Sequence, residues 1–587
     1  MIRRPAASAP VWTLRSPHRG TVQDLMRKHD VPELVAILLA NRGYSPGEAV
    51  SAHMAPDLRK LHDPFLLPNM REATRVLRKS VEDGETILIH GDYDVDGVTG
   101  TVLLVRLLRL FGADVHWHIP DRFKDGYSFG DHSIERAKAE GAKLVISVDN
   151  GTSAIEPIAQ LKAIGVKTIV TDHHEPPVSG LPEAVAIVNP KLRDSTYPFP
   201  ELCGGAVAFK LAWGFCQEMS DGDRVKPELR QFLVDSMGDV AIATVCDVVP
   251  LVDENRILAR HGLKALESSS RPGVKALLSA AGISNRALNA EDVSFQIGPR
   301  INASGRLATA ARAVEVLLSE DDAEAARLAA ELDTLNVKRR EIERDVLVEA
   351  EADAKLYQDA QRYPVIVVAG QGWHQGVVGI VAARLVDKYA RPALVIGLDG
   401  DMGRGSARSV PGFSVLEAMH GGAAFMPRYG GHSQAAGCEV MSESIDDLRE
   451  AICEEARRIL GGAGYPPPEL AIDAAVPLTM IDQSLLNQVD RLQPYGQLNE
   501  SPVLLSRDVR LAEPARVIGA DGRHVILQVR QGDTVHKALA FGMANRVHEL
   551  EMGIPIHLVH TPRWNTFRGQ RNLELLVHDF AVGESPV

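Results

Sequence analysis

Residues 86–100 read TILIHGDYDVDGVTG: a β-prone run that ends in Gly91 and three carboxylates, Asp92, Asp94 and Asp96, with His90 just before them and Gly97 just after. Carboxylates packed this closely repel one another unless a cation or solvent receives them. Carboxylate oxygens with imidazole are a donor set suited to Mg²⁺ or Mn²⁺. Two other readings compete. D-x-D-x-D-G also opens the EF-hand calcium loop, which needs a bidentate Glu at its twelfth position. Counted from Asp92, the twelfth residue is Leu103, inside an apolar stretch, and a strand rather than a helix precedes the motif, so calcium of that kind is excluded. An acidic surface turn is not excluded by this stretch alone.

The elements that would position these groups follow from the chain between 86 and 190. TILIH, DVHWHIP, KLVISVD, KTIVTD and AVAIVNP read as strands, with helices beginning near Gly97, Asp131 and Ser153. Such alternation argues for a parallel sheet covered by helices on both faces. Two more strands end in polar residues, one at Asp149-Asn150-Gly151 and one at Asp172-His173-His174-Glu175. Strand ends at one edge of a parallel sheet converge, so these side chains can meet the carboxylates of the first loop. Singly, D-N-G is a common turn and His-His a solvated loop; several at one sheet edge are harder to ascribe to chance. FLVDSMGDVAIATVCDVVPL reads as a buried helix with Asp247 near its end, either a local cap or a further ligand.

The chain has 587 residues, enough for two to four domains. Its composition is that of an ordinary soluble protein, without an apolar run of membrane-spanning length or a signal-peptide core. Five cysteines without a C-x-x-C fit a reducing cytoplasm. A net charge of −13 argues on its face against a nucleic-acid partner, but an electropositive groove can coexist with an acidic exterior.

H-G-D-Y-D-V-D-G, V-D-N-G, T-D-H-H and A-T-V-C-D-V-V-P-L together resemble the DHH phosphoesterase superfamily, which includes pyrophosphatases, small-RNA and cyclic-dinucleotide phosphodiesterases, and the RecJ exonucleases. The resemblance implies two Mn²⁺ or Mg²⁺ ions. His90, Asp94, Asp149 and Asp96, His173, Asp247 would divide between them, Asp149 bridging, and His174 would sit beside the scissile phosphate. The role of Asp92 stays open. The spacing His90-x-x-x-Asp94-x-Asp96 suits the pyrophosphatase branch as well, so these motifs do not name the substrate.

Downstream residues narrow the resemblance to the RecJ exonucleases. SFQIGPRINASGRL (294–307) reads as a non-periodic polar and basic segment, and its likeness to a RecJ segment makes Arg306 a candidate phosphate contact. A charge-laced helix follows as a solvated strut. Residues 363–460 restart an α/β pattern with two glycine-rich segments read as loops, GRGSARSVPGF and GGHSQAAG, which carry Arg404, Ser406, Arg408 and His432. Glycine lets backbone amides approach phosphate and arginine grips it bidentately. The pair resembles the DHHA1 substrate-binding domain, with Ala407 where a glycine is usual. Arg122, Ser406 and Arg408 are the resemblance-implied pocket for a 5′ phosphate. GGAGYPPPE is a linker, and the strands beyond it suit an OB-fold. There Arg507, Arg510, Arg516, Arg523, Arg530, Arg563, Arg568 and Arg571, with Trp564 and Phe567, could track a single strand. Trp564–Gly569 matches the RecJ W-N-x-F-x-G motif, and Pro494–Asn499 matches P-[FY]-G-x-G-N except that Leu498 replaces a glycine.

The expected architecture is α/β and multidomain. It comprises a helical lead-in (1–80), a parallel-sheet DHH domain (81–310), a connecting helix (311–360), a DHHA1 domain (361–462) and an OB-fold β-barrel (463–587). The resemblance implies a monomeric, cytoplasmic 5′→3′ exonuclease of single-stranded DNA. It would act in recombination and repair beside a single-strand-binding protein and a helicase, with a groove between the DHH and DHHA1 domains admitting one strand. The alternatives are a phosphodiesterase of short oligonucleotides or cyclic dinucleotides, and a scaffold with a decayed site.

Overall fold

A computed structural model describes residues 10–125, 128–220, 224–519, 522–567 and 570–587. The chain divides into two compact units: residues 47–338 with 491–500, and residues 1–46 with 339–490 and 501–587.

The first unit is built on a five-stranded sheet in the order Val115–His118, Ile87–Gly91, Leu144–Val148, Lys167–Thr171, Ala186–Val188, every pair parallel. All five strands are those expected from the sequence. Side chains alternate across the sheet. Ile87, Ile89, Ile146 and Ile169 pack on the helices Val95–Leu110, Gly204–Glu218 and Pro227–Cys246. Leu88, Val145 and Val170 face the helices Asp131–Ala139 and Ile155–Ala163. Burial on both faces is why the strands read as unbroken apolar runs.

Three features depart from expectation. Residues 294–307 are not irregular: a π-helical turn, Val293–Ile297, leads into the helix Gly298–Leu307. The helical lead-in also contains a strand, Val11–Leu14, paired in parallel with Glu469–Ile472, so this end of the chain is stitched to a distant segment. GRGSAR is not a loop but the strand Met402–Arg408 of a five-stranded sheet. A Cβ at Gly403 would lie 2.7 Å from Ile396, and Ala407 is fully buried, so the small residues there serve close packing while Arg404, Ser406 and Arg408 alternate to the other face.

Leu504–Ile518, His524–Gln531, Thr534–Ala540, Gln570–Val582 and Ile556–Phe567 pair in that order, and the last pairs back with the first. This closes the expected five-stranded barrel.

Arg256, almost completely buried, fixes residues 491–494 by donating to the carbonyls of Arg491, Leu492, Gln493 and Pro494. Buried Asn499 then donates to the carbonyls of Leu492 and Pro494, both at 2.8 Å, which closes the turn. Leu498 completes it at φ 57° with its side chain exposed. A non-glycine residue there costs roughly 1–2 kcal/mol, against roughly 0.5–1 kcal/mol for the greater unfolded-state freedom of glycine. Leu498→Gly is therefore expected to raise unfolding stability by about 0.5–1 kcal/mol in denaturant titration, and a loss of stability would contradict the strain assigned to this turn.

Candidate metal centre

Each acidic group is aimed by backbone it also stabilises. Asp94 is the N-cap of the helix Val95–Leu110, accepting from the amides of Asp96 and Gly97 at 2.9 and 3.1 Å. Asp96, in that helix's first turn, is buried and accepts from the amides of Gly204 and Gly205 at 2.6 and 2.7 Å. Those amides open the helix Gly204–Glu218, so a positive helix terminus holds a carboxylate. The approach needs glycine: a Cβ on Gly204 would lie 2.5 Å from the Asp149 Cβ. Asp149 follows its strand at φ 64°, and Val248, just after Asp247, has φ 61°. The second is a true outlier for a β-branched residue, and such strain gathers at functional sites. Asp247 itself caps the C-terminal end of Pro227–Cys246.

Three overlapping donor groups result: Asp92, Asp94, Asp149; Asp96, His173, Asp247; and Asp149, His173, His174. His173 Nε2 lies 3.1 Å from Asp149 Oδ1, 3.7 Å from Asp247 and 3.8 Å from Asp96. Asp149 Oδ1 and Asp92 Oδ1 are buried and accept no hydrogen bond. Unsatisfied buried carboxylate oxygens beside an unaligned imidazole nitrogen fit hard divalent cations such as Mn²⁺ or Mg²⁺.

The electrostatics agree. Burial, then the charges of Asp96, Asp94, Asp92 and Asp247, pushes the Asp149 carboxyl far above its ordinary range. Burial and then Asp94 do the same to Asp92. Burial, with Asp96 and Asp94, raises Asp247 to about 8. Burial lowers His173, leaving a neutral ring able to ligate. His174 behaves oppositely. Burial works against its charge, but Asp172, hydrogen-bonded to its Nδ1 at 2.7 Å, raises it to about 9.

The sequence reading did not single out Asp172 as a site residue. It is a buried hub that accepts from the amides of Thr152, His173 and His174; burial pushes its carboxyl up, but the His174 ring bonded to it, and then Thr152, hold it well below the usual range. Gly204 and Gly205 were missed too, because a G-G pair ahead of an apolar helix carries no chemical signature. The structure brings Asp92 to Asp94 and Asp149, and turns His90 away from that group. His90 lies on the face of the strand opposite Ile89, stacked on Phe129 and bonded to Ser133 at 2.8 Å, in a cluster with His118 and His132.

Arg122 and Arg306 line one cavity of about 250 Å³ with Tyr93 and Asp94, Arg122 lying over the Tyr93 ring at 5.1 Å. In the other unit, a Cβ at Gly379, in the first turn of the helix Val378–Tyr389, would lie 2.9 Å from Ser406 Oγ and 3.2 Å from Arg408 Nη2. His432 is exposed in the turn between the strands Arg428–Gly431 and Ala435–Met441.

On the barrel, Arg516 and Arg530 are exposed. Arg563 is taken up by Glu574 at 2.8 Å, and Arg571 covers Trp564 at 4.1 Å while both donate to Asp490. Arg568 and the Phe567 side chain lie outside the described residues.

Comparison with known proteins places this geometry. Family profiles match at residues 86–236 (DHH family, N-terminal domain), 362–458 (DHHA1 domain) and 472–579 (RecJ OB domain). The single-stranded-DNA-specific exonuclease RecJ of Bacillus subtilis is 36% identical over 580 residues, covering 98% of this chain and 72% of that protein. The chain belongs to the RecJ family. RecJ of Escherichia coli is 31% identical over 93% of this chain and 96% of its own length. The crystal structure of RecJ from Thermus thermophilus in complex with Mn²⁺ superposes with a TM-score of 0.80 at 30% identity, over 98% of this chain and 80% of that one. The same RecJ has also been solved with Mg²⁺.

The raised carboxyl values fix the sign of a pH test. Asp247 keeps a proton in the metal-free fold up to about pH 8 that the unfolded chain surrenders near its ordinary 3.8. Its contribution to stability is therefore present at low pH and lost as pH rises through that window. Cation binding needs the ionised carboxylates and opposes the loss. The Tm gain produced by Mn²⁺ on chelator-treated protein is expected to be larger at about pH 8 than at about pH 5.5. A gain that shrinks with pH would contradict the assigned centre.

Proposed function

We propose that this chain is a metal-dependent exonuclease that hydrolyses single-stranded DNA from its 5′ end and releases 5′-mononucleotides, in recombination and repair. The observation that carries it is one buried centre of Asp92, Asp94, Asp96, Asp149, His173 and Asp247, in a chain that aligns with RecJ exonucleases along nearly its whole length. Two ions are assigned: Asp92, Asp94 and Asp149 would hold one, and Asp96, His173 and Asp247 the other, with Asp149 between them. When bound, such ions lower the pKa of water and neutralise phosphate charge.

The protein's own groups do the rest. His174, charged at neutral pH and aimed by Asp172, donates to a phosphate oxygen and supports the charge that builds there. Arg122 and Arg306, beside Asp94 in one cavity, hold the scissile or neighbouring phosphate. Water adds to phosphorus as the bond to the 3′ oxygen breaks. The leaving nucleotide keeps its 5′ phosphate, and the shortened strand gains a new one. Ser406 and Arg408, beside the N-terminal turn of Val378–Tyr389, are assigned to that 5′ phosphate, with His432 as a further substrate contact.

A cytoplasmic location, a monomeric state and work beside a single-strand-binding protein and a helicase belong to the same proposal. Five free cysteines fit a reducing compartment.

The deciding assay supplies Mn²⁺ with single-stranded DNA labelled at either end, and in parallel duplex DNA, pyrophosphate and a cyclic dinucleotide. Label lost first from the 5′ end of single strands supports the assignment, whereas preference for the cyclic dinucleotide overturns it. Asp149→Ala should abolish cleavage and leave single-strand binding intact; near-parental activity would remove the metal assignment. Arg408→Ala should lower kcat/KM about tenfold on 5′-phosphorylated ends, the scale of a charged hydrogen bond. Equal losses on phosphorylated and unphosphorylated ends would count against the pocket.

A further inference from the structure

His90, His118 and His132 come together from three elements: the strand Ile87–Gly91, the strand Val115–His118 and the first turn of the helix Asp131–Ala139. One ring nitrogen of each lies within 4.8 Å of the other two. His118 Nε2 and His132 Nδ1 are 3.0 Å apart. Ser133 Oγ stands 2.8 Å from His90 Nε2 and 3.4 Å from His132 Nδ1. His90 is fully buried, and its Nδ1 meets no hydrogen-bond partner.

We propose that His90, His118 and His132, with the Ser133 hydroxyl or a water in the fourth position, form a second cation site, separate from the acidic centre, for a borderline dication such as Zn²⁺. An all-imidazole set selects Zn²⁺ over the hard cations that suit a carboxylate centre. Zinc–nitrogen distances of about 2.0–2.1 Å in a tetrahedral site put neighbouring nitrogens about 3.3 Å apart, so the His118–His132 pair need open only by a few tenths of an ångström.

The surroundings allow it. Burial, then the neighbouring His132 and Arg136, lowers His118 to about 4, so its ring carries a free lone pair at neutral pH. Arg136 is itself paired with Glu140 at 2.8 Å, and Asp125, Asp131 and Glu135 place negative charge toward His132. An open cavity of about 580 Å³, lined in part by Trp117, His118 and Arg136, gives entry. A hydrogen-bonded His118–His132 pair is the plain alternative, but it does not explain a third ring in reach.

The site would clamp the strand that runs into Asp92–Asp96 to the strand that leads to Arg122, so it bears on the rigidity of both. It stands independently of the proposed reaction.

The test uses the full chain, with Co²⁺ as a visible probe and Zn²⁺ for calorimetry. A tetrahedral, nitrogen-rich Co²⁺ site absorbs strongly in the visible, whereas a six-coordinate carboxylate centre absorbs weakly. The parent and Asp149→Ala should both show the strong band. His118→Gln/His132→Gln should lose it, bind Zn²⁺ at least about tenfold more weakly, and keep Mn²⁺-dependent cleavage of single-stranded DNA within about twofold. Far-UV circular dichroism checks the double variant's fold, and His132→Gln alone, a partly buried ring, repeats the measurement under less perturbation. No strong band in the parent, or a band that survives in both histidine variants, would overturn the site.

Discussion

Asp92, Asp96 and Asp149 are buried side by side, with Asp94 and Asp247 half-buried beside them. At an effective dielectric near 20, two carboxylates 4–5 Å apart repel by about 3–4 kcal/mol, and here Asp92, Asp94 and Asp149 each have two such neighbours, with Asp96 and Asp247 a further close pair. No fold keeps this many ionised acids together unaided. Either protons or cations must supply positive charge, and the raised carboxyls of Asp92, Asp149 and Asp247 are the protonic answer in the absence of metal. The rest of the unit is an arrangement for paying that cost where it is useful.

The compensation comes largely from backbone dipoles. Asp96 faces the amides that open Gly204–Glu218, Asp94 caps its own helix, and Asp172 gathers three loop amides and the His174 ring. These donors are fixed before any ligand arrives, so the carboxylates are positioned rather than merely tolerated. The same geometry demands glycine at 204 and positive φ at Asp149 and Val248, and the apolar helices around the sheet hold those strained points.

How much of this was legible in sequence follows from which constraints are local. The five strands, the helix ending at Asp247 and the closed barrel read correctly, because burial on one or two faces writes itself into period and composition. The convergence of 92–96, 149, 173–174 and 247 was also legible, since parallel topology sends strand ends to one edge. His90 was not, because motif spacing says nothing about which face of a strand a side chain takes. Asp172 was obscured by the two histidines after it. GRGSAR looked like a loop because glycine signals both turns and tight sheet packing, and only the facing Ile396 and the buried Ala407 distinguish the two. The pairing of Val11–Leu14 with Glu469–Ile472 joins residues more than four hundred positions apart and has no local signal at all.

Net charge was the weakest guide. A chain of net charge −13 would be expected to avoid DNA, yet charge acts through local geometry once screening limits its reach to about 8–10 Å. Counting arginines on the barrel misleads in the opposite direction. Arg563 answers Glu574, Arg546 answers Asp579 and Glu549, and Arg571 caps Trp564 while bonded to Asp490. These cations brace the barrel and are largely neutralised by the acids they hold. Arg516 in turn lies 3.7 Å from Glu513, so the proposed strand contacts narrow to Arg122 and Arg306, in one cavity with Asp94, and exposed Arg530. On the proposed reading, recognition rests on where a few guanidinium groups are held.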